Sequence, residues 1–161
     1  MKSSLLSIKR NPMDLSTNDA RLALSGKYAA KYGLDVAIVA AVAEQESGWN
    51  PWATRYEPDF FTRYLMPLGL KDPTEAHARA FSWGLMQIMG QVARENGFNG
   101  RFLSELCDPD VGMDLGCRKL KQCFSMHNSP EASLLAYNGG GNQFYPKQVL
   151  ARVSSYTQEA V

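Results

Sequence analysis

Apolar residues recur along this chain at the helical spacing of three and four, and the alternating pattern of a half-buried strand is nearly absent. The most apolar stretch is Val-Ala-Ile-Val-Ala-Ala-Val-Ala over residues 36–43, with Asp35 placed to cap a helix there and Gly48 to stop it. Upstream, Asn18 is placed to cap a helix over residues 19–32, which Gly33 ends. Asn50-Pro51 forces a turn. Pro58, Pro67 and Gly69 divide residues 52–80 into short pieces, with one short helix expected near residues 60–65 and another from Glu75. Ser82 is placed to cap a helix through residues 85–95 that ends around Gly97. Asp108-Pro109 opens a long helix to about Ser125, and Ser129-Pro130-Glu131 opens another to about Tyr137. Gly139-Gly140-Gly141 is a break, and Pro146 opens a last helix to about Gln158. These signals predict a compact, single-domain all-α fold of about six to eight helices over residues 17–161. An irregular N-terminal arm over residues 1–16, with Pro12 inside it, precedes the domain.

The totals fit that picture. A chain of 161 residues is one domain in length. At that size roughly 70% of the unfolded surface can be buried, so no metal or disulfide staple is required. The net charge of +1 and a pI near 7.7 argue against a nucleic-acid partner, which calls for a strongly basic face. They leave an uncharged polymer open. Cys107, Cys117 and Cys123 lack the close pairing of a zinc site. Free, partly buried thiols are expected, with a Cys107–Cys117 bridge as the alternative. His77 and His127 have no metal spacing around them, so no metal or other cofactor is expected. The apolar run in Met-Lys-Ser-Ser-Leu-Leu-Ser-Ile is too short for a signal peptide, and no run of about 20 apolar residues could span a membrane. The chain is therefore expected to stay in the cytoplasm of the cell that makes it unless something releases it, without membrane insertion and as a monomer.

Candidate chemistry begins with Glu46. At about 100° per residue it falls on the side of the second helix that carries Val39, Val42 and Ala43, whereas Glu44 lies well off that stripe. A carboxylate on an apolar stripe loses solvation, and the negative end of the helix dipole acts in the same direction. Both favour the protonated form that a general acid needs. The competing reading is a carboxylate paired with a lysine or arginine of a neighbouring helix.

Three short motifs follow in order: Glu46-Ser47-Gly48-Trp49-Asn50-Pro51, then Ser82-Trp83-Gly84-Leu85-Met86-Gln87-Ile88, then Ala136-Tyr137-Asn138-Gly139-Gly140. Together they resemble the signature of the soluble lytic transglycosylase (SLT) domain, over about residues 20–155. The resemblance implies a goose-type-lysozyme-like helical fold. It also implies cleavage of the β-1,4 bond between N-acetylmuramic acid and N-acetylglucosamine in peptidoglycan glycan strands. In that chemistry the muramyl 6-hydroxyl, not water, closes on the anomeric carbon and leaves a 1,6-anhydro end. Glu46 matches the catalytic glutamate. Ser47, Ser82, Met86, Gln87, Tyr137 and Asn138 are the implied substrate-binding residues.

Physical roles can be argued for these residues beside the resemblance. Ser47 could bond the Glu46 carboxylate or an N-acetyl group, or simply end its helix. Gly84 permits close approach of chain or sugar. Met86 offers an apolar face to a sugar ring, or fills the core. Gln87 and Asn138 supply paired donors and acceptors. Tyr137 offers a ring to a sugar and a hydroxyl to Glu46 or the substrate.

The link between the first two motifs, residues 52–81, is long and resembles that of phage-borne cell-wall lysins. Its Tyr56, Phe60, Phe61 and Tyr64 either form stacking platforms along the groove or a satellite core. Its Glu57 and Asp59 are the nearby acids that could act as a second carboxylate and make the enzyme a hydrolytic muramidase. Arg55 and Arg63 are the expected salt-bridge partners that would make those acids structural instead. A non-catalytic glycan-binding module remains the reading from another class. The absence of an export signal suits a phage lysin released from the host cytoplasm, or a virion component, acting in the periplasm or wall.

Overall fold

The computed structural model describes residues 13–157. Among these residues eight α-helices carry the fold: α1 Asn18–Tyr32, α2 Val36–Ser47, α3 Pro58–Phe60, α4 Pro73–Arg79, α5 Gly90–Glu95, α6 Pro109–Met126, α7 Pro130–Tyr137 and α8 Tyr145–Val153. The expected helical fold is present, with one addition. Three short strands, β1 Thr54–Tyr56, β2 Phe81–Trp83 and β3 Ile88–Met89, form an antiparallel sheet in the order β1-β2-β3.

Local chemistry explains the helix ends. Asp35 caps α2 by accepting from the Ile38 amide at 3.0 Å, and Gly48 ends it in the left-handed conformation at φ 58°. Asp108 and Ser129 cap α6 and α7, each followed by a proline at the first helical position. For α1 the cap is Thr17 rather than Asn18, because the Thr17 hydroxyl reaches the Ala20 amide. The last helix stops at Val153, short of the expected end. Leu15 is buried in the core, so part of the expected arm packs against the domain. The rest of that arm, residues 1–12, lies outside the described residues.

The core gathers α2, completely buried from Val39 to Ala43, between α1 and α8, with α6 and α7 closing the other side. Across the α1–α6 seam the same clamp occurs twice, one helical turn apart. Lys27 and Tyr28 both reach Asp110, at 2.6 Å each, and Lys31 and Tyr32 reach Asp114 at 2.6 and 2.7 Å. All three cysteines are free and buried, so the Cys107–Cys117 bridge does not form.

The helix expected over residues 85–95 is the main correction. Its first half is a β-hairpin turn, and only α5 is helical. Gly84 and Gln87 take positive φ values of 69° and 46°, which a right-handed helix excludes. Leu85 and Met86 are apolar because the turn drives both into the core, with Met86 pressed against Gly116 of α6. Ser82 is therefore not a helix cap but the middle residue of β2.

Candidate active site

The sheet register builds one wall of a cleft. Arg55 pairs with Ser82, and Ser82 pairs with Met89, so these three side chains form a row on one face of the sheet. All three line a cavity of about 260 Å³ whose other walls are Glu46 from α2, Lys119 from α6, and Tyr137 with Asn138 from the end of α7. Trp83 and Phe81 point to the opposite face by strand alternation. There Tyr56, Phe61, His77, Phe81 and Trp83 form a ring cluster, with Phe61 and His77 stacked at 4.3 Å. Tyr56 and Phe61 thus join a half-exposed ring cluster beside α4, away from the cleft, and Phe60 and Tyr64 pair with each other at 5.1 Å.

Glu46 is half-buried. The Tyr145 hydroxyl of α8 donates to its Oε1 at 2.6 Å. Burial is the largest influence on the carboxyl and pushes it above the usual carboxylate range. The Tyr145 hydrogen bond and the charges of Lys119 and Arg55 pull the other way without cancelling that rise. Glu44 is occupied elsewhere. It accepts from the Tyr156 hydroxyl at 2.6 Å, and that hydroxyl in turn accepts from the Trp49 indole at 2.7 Å.

The other expected site residues divide into two groups. Ser82 and Asn138 line the cleft, and Asn138 Oδ1 accepts from the Asn142 amide at 3.1 Å, leaving its amide nitrogen toward other partners. Gln87 also lines it, but its Nε2 donates to the Ala53 and Gly84 carbonyls at 2.9 and 3.0 Å and locks the hairpin to β1. Oε1 remains as its acceptor. Three of the expected residues are engaged within the protein. Ser47 donates to the Ala43 carbonyl of its own helix at 3.0 Å, because a serine in a last turn reaches the carbonyl four residues back more easily than a neighbouring carboxylate. Met86 is completely buried and offers no face to a sugar. The Tyr137 hydroxyl donates to the Met86 carbonyl at 2.8 Å, so this tyrosine gives the cleft only its ring. Gly84 permits close approach of chain, not sugar, since a Cβ there would collide with the Leu106 carbonyl.

The chain matches the model of the transglycosylase SLT domain over residues 23–155, most of its length. It belongs to the transglycosylase SLT domain family. A relative named "Transglycosylase", from Enterobacteria phage PRD1, is 26% identical over 137 residues, covering 80% of this chain and 41% of the relative. The chain thus corresponds to about two-fifths of that longer protein. No solved structure matches the chain.

In this SLT domain, sequence reasoning missed Tyr145 and Lys119, and gave Arg55 only its ion pair with Glu57, which does form. No ion pair joins Asp59 to Arg63 among the described residues. Lys119 carried a readable signal: it lies three residues after Gly116 and four before Cys123, both buried, on the stripe of α6 that faces inward. Tyr145 carried none, because its partner Glu46 is 99 residues away. A larger groove of about 720 Å³ lies between α7 and α8, lined by Glu131, Leu135, Lys147 and Leu150 among others. It holds none of the expected site residues, so chemistry rather than size identifies the smaller cleft.

Proposed function

We propose that this domain is a peptidoglycan lytic transglycosylase in which Glu46 is the single general acid and base. The observation that carries the reading is that Glu46 is the one carboxylic acid among the residues lining the cleft. A retaining hydrolase needs a second carboxylate at roughly 5–5.5 Å, and an inverting one at roughly 6.5–9.5 Å. The nearest candidate in the sequence, Glu57, is ion-paired with Arg55.

Glu46, whose protonated form burial favours, gives its proton to the glycosidic oxygen between muramic acid and glucosamine. Because Tyr145 already donates to Oε1, the proton resides on Oε2, the oxygen left for the substrate. The resulting carboxylate then takes the proton of the muramyl 6-hydroxyl as that oxygen closes on the anomeric carbon. The hydroxyl is tethered to the same sugar, so its effective concentration is high without any enzyme group to position a water. Ser82, Asn138 and the Gln87 acceptor line the path of the strand. The family match and the phage relative's name support the same reaction, and the relative suggests a phage-borne, wall-acting enzyme that works as the glycan-cleaving module of a lysin or virion. No helix among the described residues is long and apolar enough to cross a membrane.

Mass spectrometry of a complete digest of purified peptidoglycan tests the reading. Muropeptides ending in 1,6-anhydro-muramic acid, lighter by one water than lysozyme products, are expected. Glu46→Gln should lower the rate about 10²–10⁴-fold with unchanged circular dichroism. Ordinary reducing ends, together with inactivity of Glu57→Gln or Asp59→Asn, would make the domain a hydrolytic muramidase.

A further inference from the structure

Lys119 is an expensive residue in an unusual place. α6 carries it on its inward stripe, and its ammonium donates to the Tyr137 carbonyl at 2.8 Å and lies 4.4 Å from the centre of the Tyr137 ring. A carbonyl and an aromatic face solvate this half-buried cation but do not neutralise it. Among the described residues Lys119 forms no ion pair, although it shares the cleft with Glu46. An ammonium can make three hydrogen bonds, and the backbone takes one of them.

The charged and titratable groups that face Glu46 come from four elements: Arg55 of β1, Lys119 of α6, Tyr137 of α7 and Tyr145 of α8. Burial pushes both tyrosines far above their ordinary range, so they stay neutral. Arg55 is mostly exposed and divides its charge with Glu57, so solvent and that partner screen it. Cys123, which also faces Lys119, is held as a thiol by burial. Lys119 is the enclosed, uncompensated charge of the set.

We propose that Lys119 is a positioning residue that acts through Glu46: its charge, fixed in the cleft wall, stabilises the Glu46 carboxylate after the proton has gone to the leaving oxygen. The inference rests on the reading of Glu46 as general acid and base. Burial alone would make Glu46 a reluctant donor and leave its carboxylate unsupported between the two half-reactions. A cation across the cleft lowers the cost of that intermediate state without forming a contact that would hold Glu46 permanently ionised. The influence is mutual, since the Glu46 charge in turn opposes the pull of burial on the Lys119 ammonium.

The test is the pH dependence of activity in the wild type, Lys119→Met and Lys119→Arg, together with a titration of the Glu46 carboxyl by ¹³C NMR. Loss of the cation should move the alkaline limb of activity and the Glu46 titration to higher pH, by up to about one unit. Turnover should fall more than KM rises, and Lys119→Arg should keep the wild-type limb. If Lys119→Met does not fold, Lys119→Gln retains a donor for the Tyr137 carbonyl and is read in the same two ways. A variant that is folded but slow, with neither the limb nor the titration moved, overturns the proposal and makes Lys119 a structural residue. The two readings fail separately. Ordinary reducing ends in the wild-type digest would remove the transglycosylase reaction while leaving the Glu46 titration shift intact.

Discussion

Tyr145 and Tyr137 stand beside the same cleft, and their hydroxyls have opposite consequences. That of Tyr145 ends on the Glu46 carboxyl, and that of Tyr137 on a backbone carbonyl. A hydrogen bond to a charged group is worth about 1.5–3 kcal/mol. If Tyr145 holds Oε1 through the step in which Glu46 is ionised, Tyr145→Phe should slow turnover about 10–100-fold. It should also move the alkaline limb upward, because a donor to the carboxylate has been lost. Tyr137→Phe should leave activity per folded molecule near that of the wild type, since the ring is kept, and should instead orphan the Met86 carbonyl. The stability loss expected for that orphan is about 1–3 kcal/mol. Rates at several pH values, set beside urea denaturation of both variants, separate the two roles. The pairing would be misassigned if Tyr137→Phe lost activity and kept its stability.

At the scale of elements, the cleft depends on a hairpin that has very little sequence to announce it. The helices were legible because their signals are local: Asp35 and Gly48 bracket α2, and Asp108-Pro109 and Ser129-Pro130 open α6 and α7. The strands are two or three residues long and form only because β1 meets β2 across a 27-residue separation. Phe81-Ser82-Trp83 does alternate, but three residues cannot outweigh the helical reading of the apolar pair that follows. Glu46 was legible from its stripe, and the same test applied to α6 would have found Lys119. The site's exact partners were not legible, because Tyr145, Ser82 and Met89 reach Glu46 or its cleft only through tertiary packing. The hairpin also makes a prediction. Gly84→Ala would place a Cβ against the Leu106 carbonyl at a φ of 69°, so both the contact and the conformation oppose it. A loss of more than about 1 kcal/mol is expected. Activity should fall further than that loss explains, because the row Arg55–Ser82–Met89 moves with the turn. A fully active and equally stable Gly84→Ala would show that the hairpin does not hold the cleft wall.

For the molecule as a whole, Glu46 and the ion pairs pull stability in opposite directions with pH. Glu75 lies between Arg79 and Arg94 at 2.9 and 2.8 Å, and these partners hold its carboxyl below the usual range. Lys31 and Tyr32 do the same for Asp114, against the effect of its burial. A group with a depressed folded value contributes stability above its unfolded value, and that contribution is lost as pH falls through the folded one. Glu46 has the opposite sign. Its folded value is raised above the ordinary 4.5, so its contribution is complete below 4.5 and is lost as pH rises through the folded value. At neutral pH the folded chain therefore bears the cost of enclosing an acid that is freely ionised in the unfolded chain. Glu46→Gln removes that cost while its amide oxygen still accepts from Tyr145. This variant should melt higher than the wild type near neutral pH, with about 2–4 °C in Tm for each kcal/mol relieved. The difference should shrink toward zero as the pH is lowered to 4.5 and below, where the wild-type carboxyl is also neutral. Glu44→Gln, which weakens a tie to Tyr156 and Arg152, should show no such gain. Calorimetry of the three proteins from acid to neutral pH decides the matter. A melting difference for Glu46→Gln that is constant across that range would mean that the carboxyl titrates alike in the folded and unfolded chain, and that burial does not raise it.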